Sequence, residues 1–230
     1  MKKNTYVQFE NGFFEKIIKN KRIEMLNLIK KEINISEIKD LLDIGTTEDN
    51  VLGSSNIFCH MLDEIPVHKS ISNQRITNKR FKLCLNKSIT SDFKQEEINS
   101  MRSDLVMSSA TIEHVGHLNN QICKVRNMIS LSKKYIVITT PNRFFPIEVH
   151  TKLPFIHWLP KKIFRKILLL LGMSYFAEEK NLNLLDRSEL NQILNSFSKE
   201  INYTIYNISF IGFVSNFLVI CKVKSINNKI

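Results

Sequence analysis

Between Ser103 and Asn142 the chain reads SDLVMSSATIEHVGHLNNQICKVRNMISLSKKYIVITTPN: an apolar run, small residues, an acidic turn, a helix-period segment and a second apolar run. Asp104 to Met107 reads as a buried strand, and Ser108, Ser109 and Ala110 fall where such a strand delivers its C-terminal edge to a ligand crevice. Strand, turn, helix and strand together make one half of a doubly wound α/β domain. Strands separated by helices demand a mostly parallel sheet with right-handed crossovers.

The rest of the chain continues the pattern. Phe13, Ile17, Ile18, Met25, Leu28 and Ile29 recur at helical spacing with charges between them, which predicts an amphipathic helix through about Lys31 covering the sheet. Strands are expected over 38–44, 67–71, 81–85, 104–108 and 135–139, and helices over 51–62, from about Glu96, and over 118–131. Two more helices follow a Pro- and aromatic-rich stretch. The runs YTIYNISFIGF and NFLVICKVK then predict a terminal hairpin turning near Ser215 and Asn216. Asp186 with Glu189 three residues later predicts an N-terminal cap for a helix over 188–197.

At 230 residues and 43% hydrophobic content, the chain suits one sizeable α/β core, with residues 1–35 as a helical cover and 141–185 as a lid on the acceptor side. Cys59, Cys84, Cys123 and Cys221 show no CxxC spacing and read as reduced thiols, which favours a cytoplasmic setting. The start of the chain carries no signal-peptide pattern, and no apolar run approaches ~18 residues. The net charge of +11 comes from dispersed lysines without interleaved aromatics, so a generally basic surface is expected rather than a nucleic-acid site.

Two segments point to chemistry. In LLDIGTTED, Gly45 allows a tight bend and a close backbone approach, and Asp43 can accept hydrogen bonds from an ammonium or a turn amide. In SSATIEHVG, Glu113 and His114 stand at the crevice rim, and histidine is the side chain best suited to act as a base near neutral pH. GxGxxG is absent, which disfavours a dinucleotide-binding dehydrogenase. Together these segments resemble the S-adenosylmethionine-dependent class I methyltransferases, particularly a bacterial subgroup of small single-domain, type 11-like members, over residues 38–223.

The resemblance implies a Rossmann-like, seven-stranded sheet with its last strand antiparallel, and S-adenosyl-L-methionine as cofactor. Asp43, Gly45 and Thr46 would hold its methionine end, Asn73 or Gln74 the ribose, Ser88 the adenine side, and Ser108, Ser109 and Ala110 the crevice floor. Glu113 or His114 would orient or deprotonate the acceptor. Thr46, Thr47 and Glu48 stand where the broad family commonly has further glycines, and SISNQ lacks the usual ribose-binding acid. A degenerate scaffold with weak or no cofactor binding is therefore an alternative reading.

The segment TTPNRFFPIEVHTKLPFIHWLPKK follows the fifth strand and resembles the subgroup's own signature. Its prolines stiffen it, its aromatics give it a surface, and Asn142, Arg143, Glu148, His150, His157 and Trp158 are the acceptor-side candidates. The acceptor is expected to be a small molecule, with glycan- or lipid-linked compounds included. Residues 161–172, KKIFRKILLLLG, suit either a core helix or a helix at the inner membrane face, which leaves a membrane-peripheral lipid methyltransferase as another alternative. No required metal is expected, because His114 and His117 lack a third ligand and Ala110 stands where some related methyltransferases carry an acidic one.

Overall fold

The computed structural model describes residues 13–48 and 56–224. In chain order the elements are α1 (Phe13–Glu32), β1 (Asp40–Ile44), α2 (Ile57–Met61), β2 (Val67–Ser72), β3 (Phe81–Asn86), α3 (Gln95–Met101), β4 (Ser103–Ser109), α4 (Leu118–Leu131), β5 (Ser132–Pro141), α5 (Lys161–Leu170), α6 (Ser174–Ala177), α7 (Arg187–Asn195), β6 (Ile201–Phe210) and β7 (Phe213–Val223). The strands form one sheet in the order β3-β2-β1-β4-β5-β7-β6. The first five are parallel, and β7 runs antiparallel to both β5 and β6. The expected α/β architecture with its C-terminal antiparallel hairpin is thus observed.

Burial on both faces explains why the central strands read as continuous apolar runs. Successive side chains point to opposite faces. Leu42, Val106, Ile136 and Ile138 join Val125 and Met128 of α4 and Leu190 and Ile193 of α7 in one core. Leu41, Leu105, Met107 and Val137 join Met25, Leu26 and Ile29 of α1 and Phe58 of α2 in the other. A third, smaller cluster within residues 141–185 is built on Phe164, Leu168, Ala177, Leu182 and Leu184.

Charge anchors the N-terminal edge of β1 and β4. Asp40 accepts from the Asp104 amide at 2.8 Å and from Lys69 and Lys133, while Asp104 accepts from the Lys39 amide and from Lys134. Burial opposes the charge on Asp40, but the Asp104 amide and the two lysines outweigh it and hold the carboxyl below its ordinary range.

Several boundaries differ from the sequence reading. A 3-10 turn, Ile35–Glu37, precedes β1, and β5 runs three residues beyond its expected limit at the start and two at the end. Of the helix expected over 51–62, residues 51–55 lie outside the described residues, and α2 covers Ile57–Met61. The capping box holds: the Glu189 amide donates to Asp186 at 2.9 Å, and the Asp186 amide to Glu189 at 3.0 Å. Cys59 and Cys221 are buried thiols, whereas Cys84 is exposed on the edge strand β3.

The hairpin turns at Ile211 and Gly212, not at Ser215 and Asn216, which lie within β7, Ser215 at the register shift and Asn216 opposite Ile208. Both turn residues have left-handed backbones, φ 49° and 78°, the geometry of a two-residue hairpin connection that matches the twist of the strands. A β-branched residue is strained there, and Ile211 is 77% exposed, so its side chain gains little burial in return. Ile211→Asn is expected to stabilise the protein by about 0.5–1 kcal/mol, read as a higher urea midpoint with an unchanged slope.

Candidate active site

The sheet order reverses between β1 and β4, so their C-terminal ends splay apart and open a crevice. The two loops that leave these strands touch. Gly45, at φ 89°, lies so close to the Thr111 side chain that a Cβ at this position would collide with it. Ala110 also takes a left-handed backbone, φ 48°, and its amide donates to the Thr139 carbonyl at 2.9 Å. Asn56 fixes the loop after β1 by pairing both ends of its amide with the Thr47 backbone, at 3.1 and 2.8 Å.

Beneath this floor sits Lys124 of α4, a lysine with 0% exposure. Its Nζ donates to the Thr111 hydroxyl, which also pairs with Ser108 Oγ at 2.5 Å. Burial pushes the ammonium down to about 7, against the pull of the Glu113 and Asp43 carboxylates. Burial likewise lifts Asp43 to about 6, opposed by hydrogen bonds from Thr46 and Cys59 and by the charge of Lys124. Asp43 Oδ2 accepts from Thr46 Oγ1 at 2.6 Å. One cation from α4 thus balances carboxylates contributed by β1 and by the turn after β4.

The crevice encloses a cavity of about 240 Å³. Of the residues singled out from the sequence, Asp43, Gly45, Thr46, Asn73, Gln74, Ser109, Ala110 and His114 line it. Ser88 does not; its hydroxyl pairs with Thr90 at 2.8 Å, and its neighbours Lys87 and Ile89 face the cavity instead. Ser108 is buried below the floor and pairs with Thr111. Glu113 is fully buried and does not line the cavity either: Oε2 accepts from Thr140 Oγ1 at 3.0 Å, while Oε1 has no partner among the described residues. Sequence reasoning missed Arg22 of α1 and Lys124 as lining residues. Both read as solvated charges on amphipathic helices.

The acceptor-side candidates divide into two groups. Asn142, Arg143, His157 and Trp158 serve the loop itself. Asn142 donates to the Val214 carbonyl at 2.8 Å, Arg143 to the carbonyls of His157 and Leu159 at 3.2 and 2.8 Å, and His157 and Trp158 both reach the Phe145 carbonyl. His150 instead meets His114, and Glu148 backs His150. Glu148 accepts from the His150 ring at 2.6 Å and from the Thr151 amide at 2.6 Å. Burial opposes its charge, but these donors bring it down to about 2. Burial also works against charge on His150, yet Glu148 outweighs it and raises the imidazole; His114 is lowered chiefly by burial. His114 Nδ1 lies 2.7 Å from the Asn181 carbonyl, and its Nε2 lies 3.1 Å from His150 Nε2. The partner of His114 is therefore His150, not His117, which sits exposed at the start of α4.

No family model and no curated protein matches the chain. Solved structures do match. Magnesium protoporphyrin IX methyltransferase from Synechocystis PCC 6803, solved with bound S-adenosylhomocysteine, aligns at TM-score 0.55 and 7% identity, over 96% of this chain and 91% of that one. The N-methyltransferase NodS from Bradyrhizobium japonicum aligns at 0.51 and 7%, over 88% and 95%. A cyclopropane-fatty-acyl-phospholipid synthase-like protein from Lactobacillus casei aligns at 0.53 and 9%, over 94% and 95%. The chain shares the class I methyltransferase fold.

Removing the buried cation leaves the carboxylates without it in a dry site. Lys124→Met is expected to cost about 3–5 kcal/mol at pH 6.5, where Lys124 is still charged and Asp43 already ionised, with a smaller loss at pH 5, where Asp43 carries a proton. Urea unfolding at the two pH values checks this.

Proposed function

We propose that this protein is a methyltransferase that uses S-adenosyl-L-methionine to methylate an oxygen or nitrogen of a small acceptor, including glycan- or lipid-linked compounds. The observation that carries the reading is the crevice at the β1/β4 reversal, with Asp43 and Gly45 on one wall and Ser109 to Thr111 on the other, in a fold shared with methyltransferases. The cofactor supplies a methyl group on a sulfonium, already joined to its leaving group. What the chain must add is mainly binding and in-line orientation.

The residues present fit that cofactor. Gly45 leaves the backbone bare where a side chain would collide, and Asp43, once ionised, offers a carboxylate to an α-ammonium. Arg22 and Lys124 bring positive charge to the same cavity for an α-carboxylate. Asn73 and Gln74 at the end of β2 offer neutral hydrogen bonds to ribose hydroxyls, weaker than a carboxylate would give. Ile71, Ile89 and Phe58 supply apolar wall. His114, at the rim, faces the acceptor side. Glu113, below the floor, holds the turn that carries His114.

Asp43 is faced by Thr46, the Cys59 thiol and Lys124. Its raised pKa means that it takes a proton as the pH falls through about 6, which removes the charge that attracts the ammonium. The same protonation relieves the cost of a buried charge, so the free protein gains stability from Asp43 on acidification while binding weakens. Calorimetry is expected to show micromolar affinity for S-adenosylmethionine, about −8 kcal/mol, at pH 7.5, with a decline below pH 6. Asp43→Asn is expected to weaken binding at pH 7.5 and flatten that profile. A folded protein that binds neither the cofactor nor its demethylated product would overturn the reading and favour a degenerate scaffold.

One surface favours a lipid-linked acceptor. No helix among the described residues is long and apolar enough to cross a membrane, but α5 is strongly amphipathic and buries only Phe164 and Leu168. Leu169 and Leu171 are exposed and Leu170 is 86% exposed, beside exposed Ile163, Phe155 and Trp158. Lys161 is engaged by Glu189 and Arg165 by Glu179; Lys162 and Lys166 stand exposed at the same face. Apolar side chains rimmed by cations suit the boundary of an anionic bilayer. Co-sedimentation with anionic liposomes is expected, and Leu170→Ser together with Lys162→Gln and Lys166→Gln should abolish it without changing cofactor affinity.

A further inference from the structure

We propose that Glu113, His114 and His150 form a binding site for one divalent first-row transition-metal ion, on the acceptor side of the cofactor crevice. The inference deepens the methyltransferase reading and rests on it only for what the ion would do.

Three observations carry the site. First, the donor atoms converge: one ligand atom from each of the three residues lies within 4.8 Å of the others. The two Nε2 atoms are 3.1 Å apart, close to the roughly 3.3 Å that two imidazoles on one tetrahedral ion subtend. Second, both rings are oriented from behind. His114 Nδ1 sits on the Asn181 carbonyl and His150 Nδ1 on the Glu148 carboxylate, at 2.7 and 2.6 Å. A carbonyl can only accept, and both Glu148 oxygens already accept backbone amides, Oε1 from His150 and Oε2 from Thr151, so each Nδ1 carries its proton and donates. Ligating histidines are held in just this way, by a carbonyl or carboxylate on the other ring nitrogen.

With both Nδ1 atoms protonated, two neutral rings would direct lone pairs at each other from Nε2. Something positive has to stand between them, a proton or a metal ion. Third, a proton satisfies only the histidines and leaves Glu113 Oε1 buried without a partner among the described residues. A divalent ion satisfies all three groups. Orphaned buried carboxylate oxygens are uncommon and call for an explanation.

Two imidazoles and one carboxylate select zinc, cobalt, iron or manganese over magnesium or calcium, which prefer all-oxygen shells. Three protein ligands leave coordination open. Because His114 lines the crevice while Glu113 lies buried behind it, the site adjoins the cavity, where an ion with an open position would hold an oxygen-bearing acceptor.

The test is Co²⁺ titration of the chelator-treated full chain, followed by its visible absorption, with metal content by mass spectrometry after dialysis. Expected is one equivalent per chain, displaced by Zn²⁺ and not by Mg²⁺. His150→Ala and Glu113→Gln should lose the visible signal, Glu148→Gln should weaken binding 10- to 100-fold, and His117→Ala should bind normally. Circular dichroism on each variant separates loss of the site from loss of the fold. Substoichiometric uptake by the unaltered chain, or uptake that survives both His114→Ala and His150→Ala, would overturn the proposal. Parallel calorimetry with S-adenosylhomocysteine keeps the readings apart: cofactor binding without metal sinks only the metal site, and metal binding without cofactor sinks only the enzymatic reading.

Discussion

One buried ammonium ties together the segments that make the crevice. Lys124 projects from α4 into the space under β1 and β4, where Asp43 and Glu113 supply negative charge and Thr111 accepts its proton. A lysine without exposure is costly unless its charge is answered, and here the answer comes from two loops distant in sequence. The same Thr111 side chain fills the place where Gly45 would otherwise carry a Cβ. Helix, strand end and turn are therefore mutually fixed. The wall of the crevice at Gly45 inherits its shape from that arrangement.

The segment between β5 and α7 answers a different constraint. Leu185, at its end, joins one of the main cores, and the stretch before it builds a small core from Phe164, Leu168, Ala177, Leu182 and Leu184. Most of its polar side chains close its own turns: Arg143 caps the carbonyls of His157 and Leu159, and His157 and Trp158 converge on Phe145. His150 is the exception, held by Glu148 and reaching across to His114. The loop thus satisfies most of its own polar groups, sets His150 against His114 and leaves an apolar face to solvent.

The two ends of the parallel strands are electrostatically opposite in purpose. At the N-terminal edge, Asp40 and Asp104 are saturated by backbone amides and lysines, and their charge is spent on joining strands. At the C-terminal edge, Asp43 is left with a hydroxyl, a thiol and a shared lysine, and its carboxyl rises to about 6. A carboxylate held short of full satisfaction keeps binding capacity for a ligand; a saturated one does not.

What the sequence by itself determined is whatever depends on near neighbours. Continuous apolar runs mark β1, β4 and β5, the Asp186–Glu189 spacing marks the start of α7, and a glycine after an apolar strand marks the bend at Gly45, because each is a local requirement. The crevice-lining places of Asp43, Asn73, Gln74, Ser109 and Ala110 were legible for the same reason: strand ends in a doubly wound sheet face the crevice. Ile211 misled because nothing local announces a β-branched residue in a left-handed turn. Lys124 reads as one more lysine on an amphipathic helix, and Ser88 as a lining residue although its neighbours take that place. His114 and His150 are 36 residues apart, and Glu113 meets Lys124 only because α4 folds back under its own turn. These pairings belong to tertiary structure alone, since burial and cross-chain distance decide which charges are compensated, and neither is written in the spacing of residues along the chain.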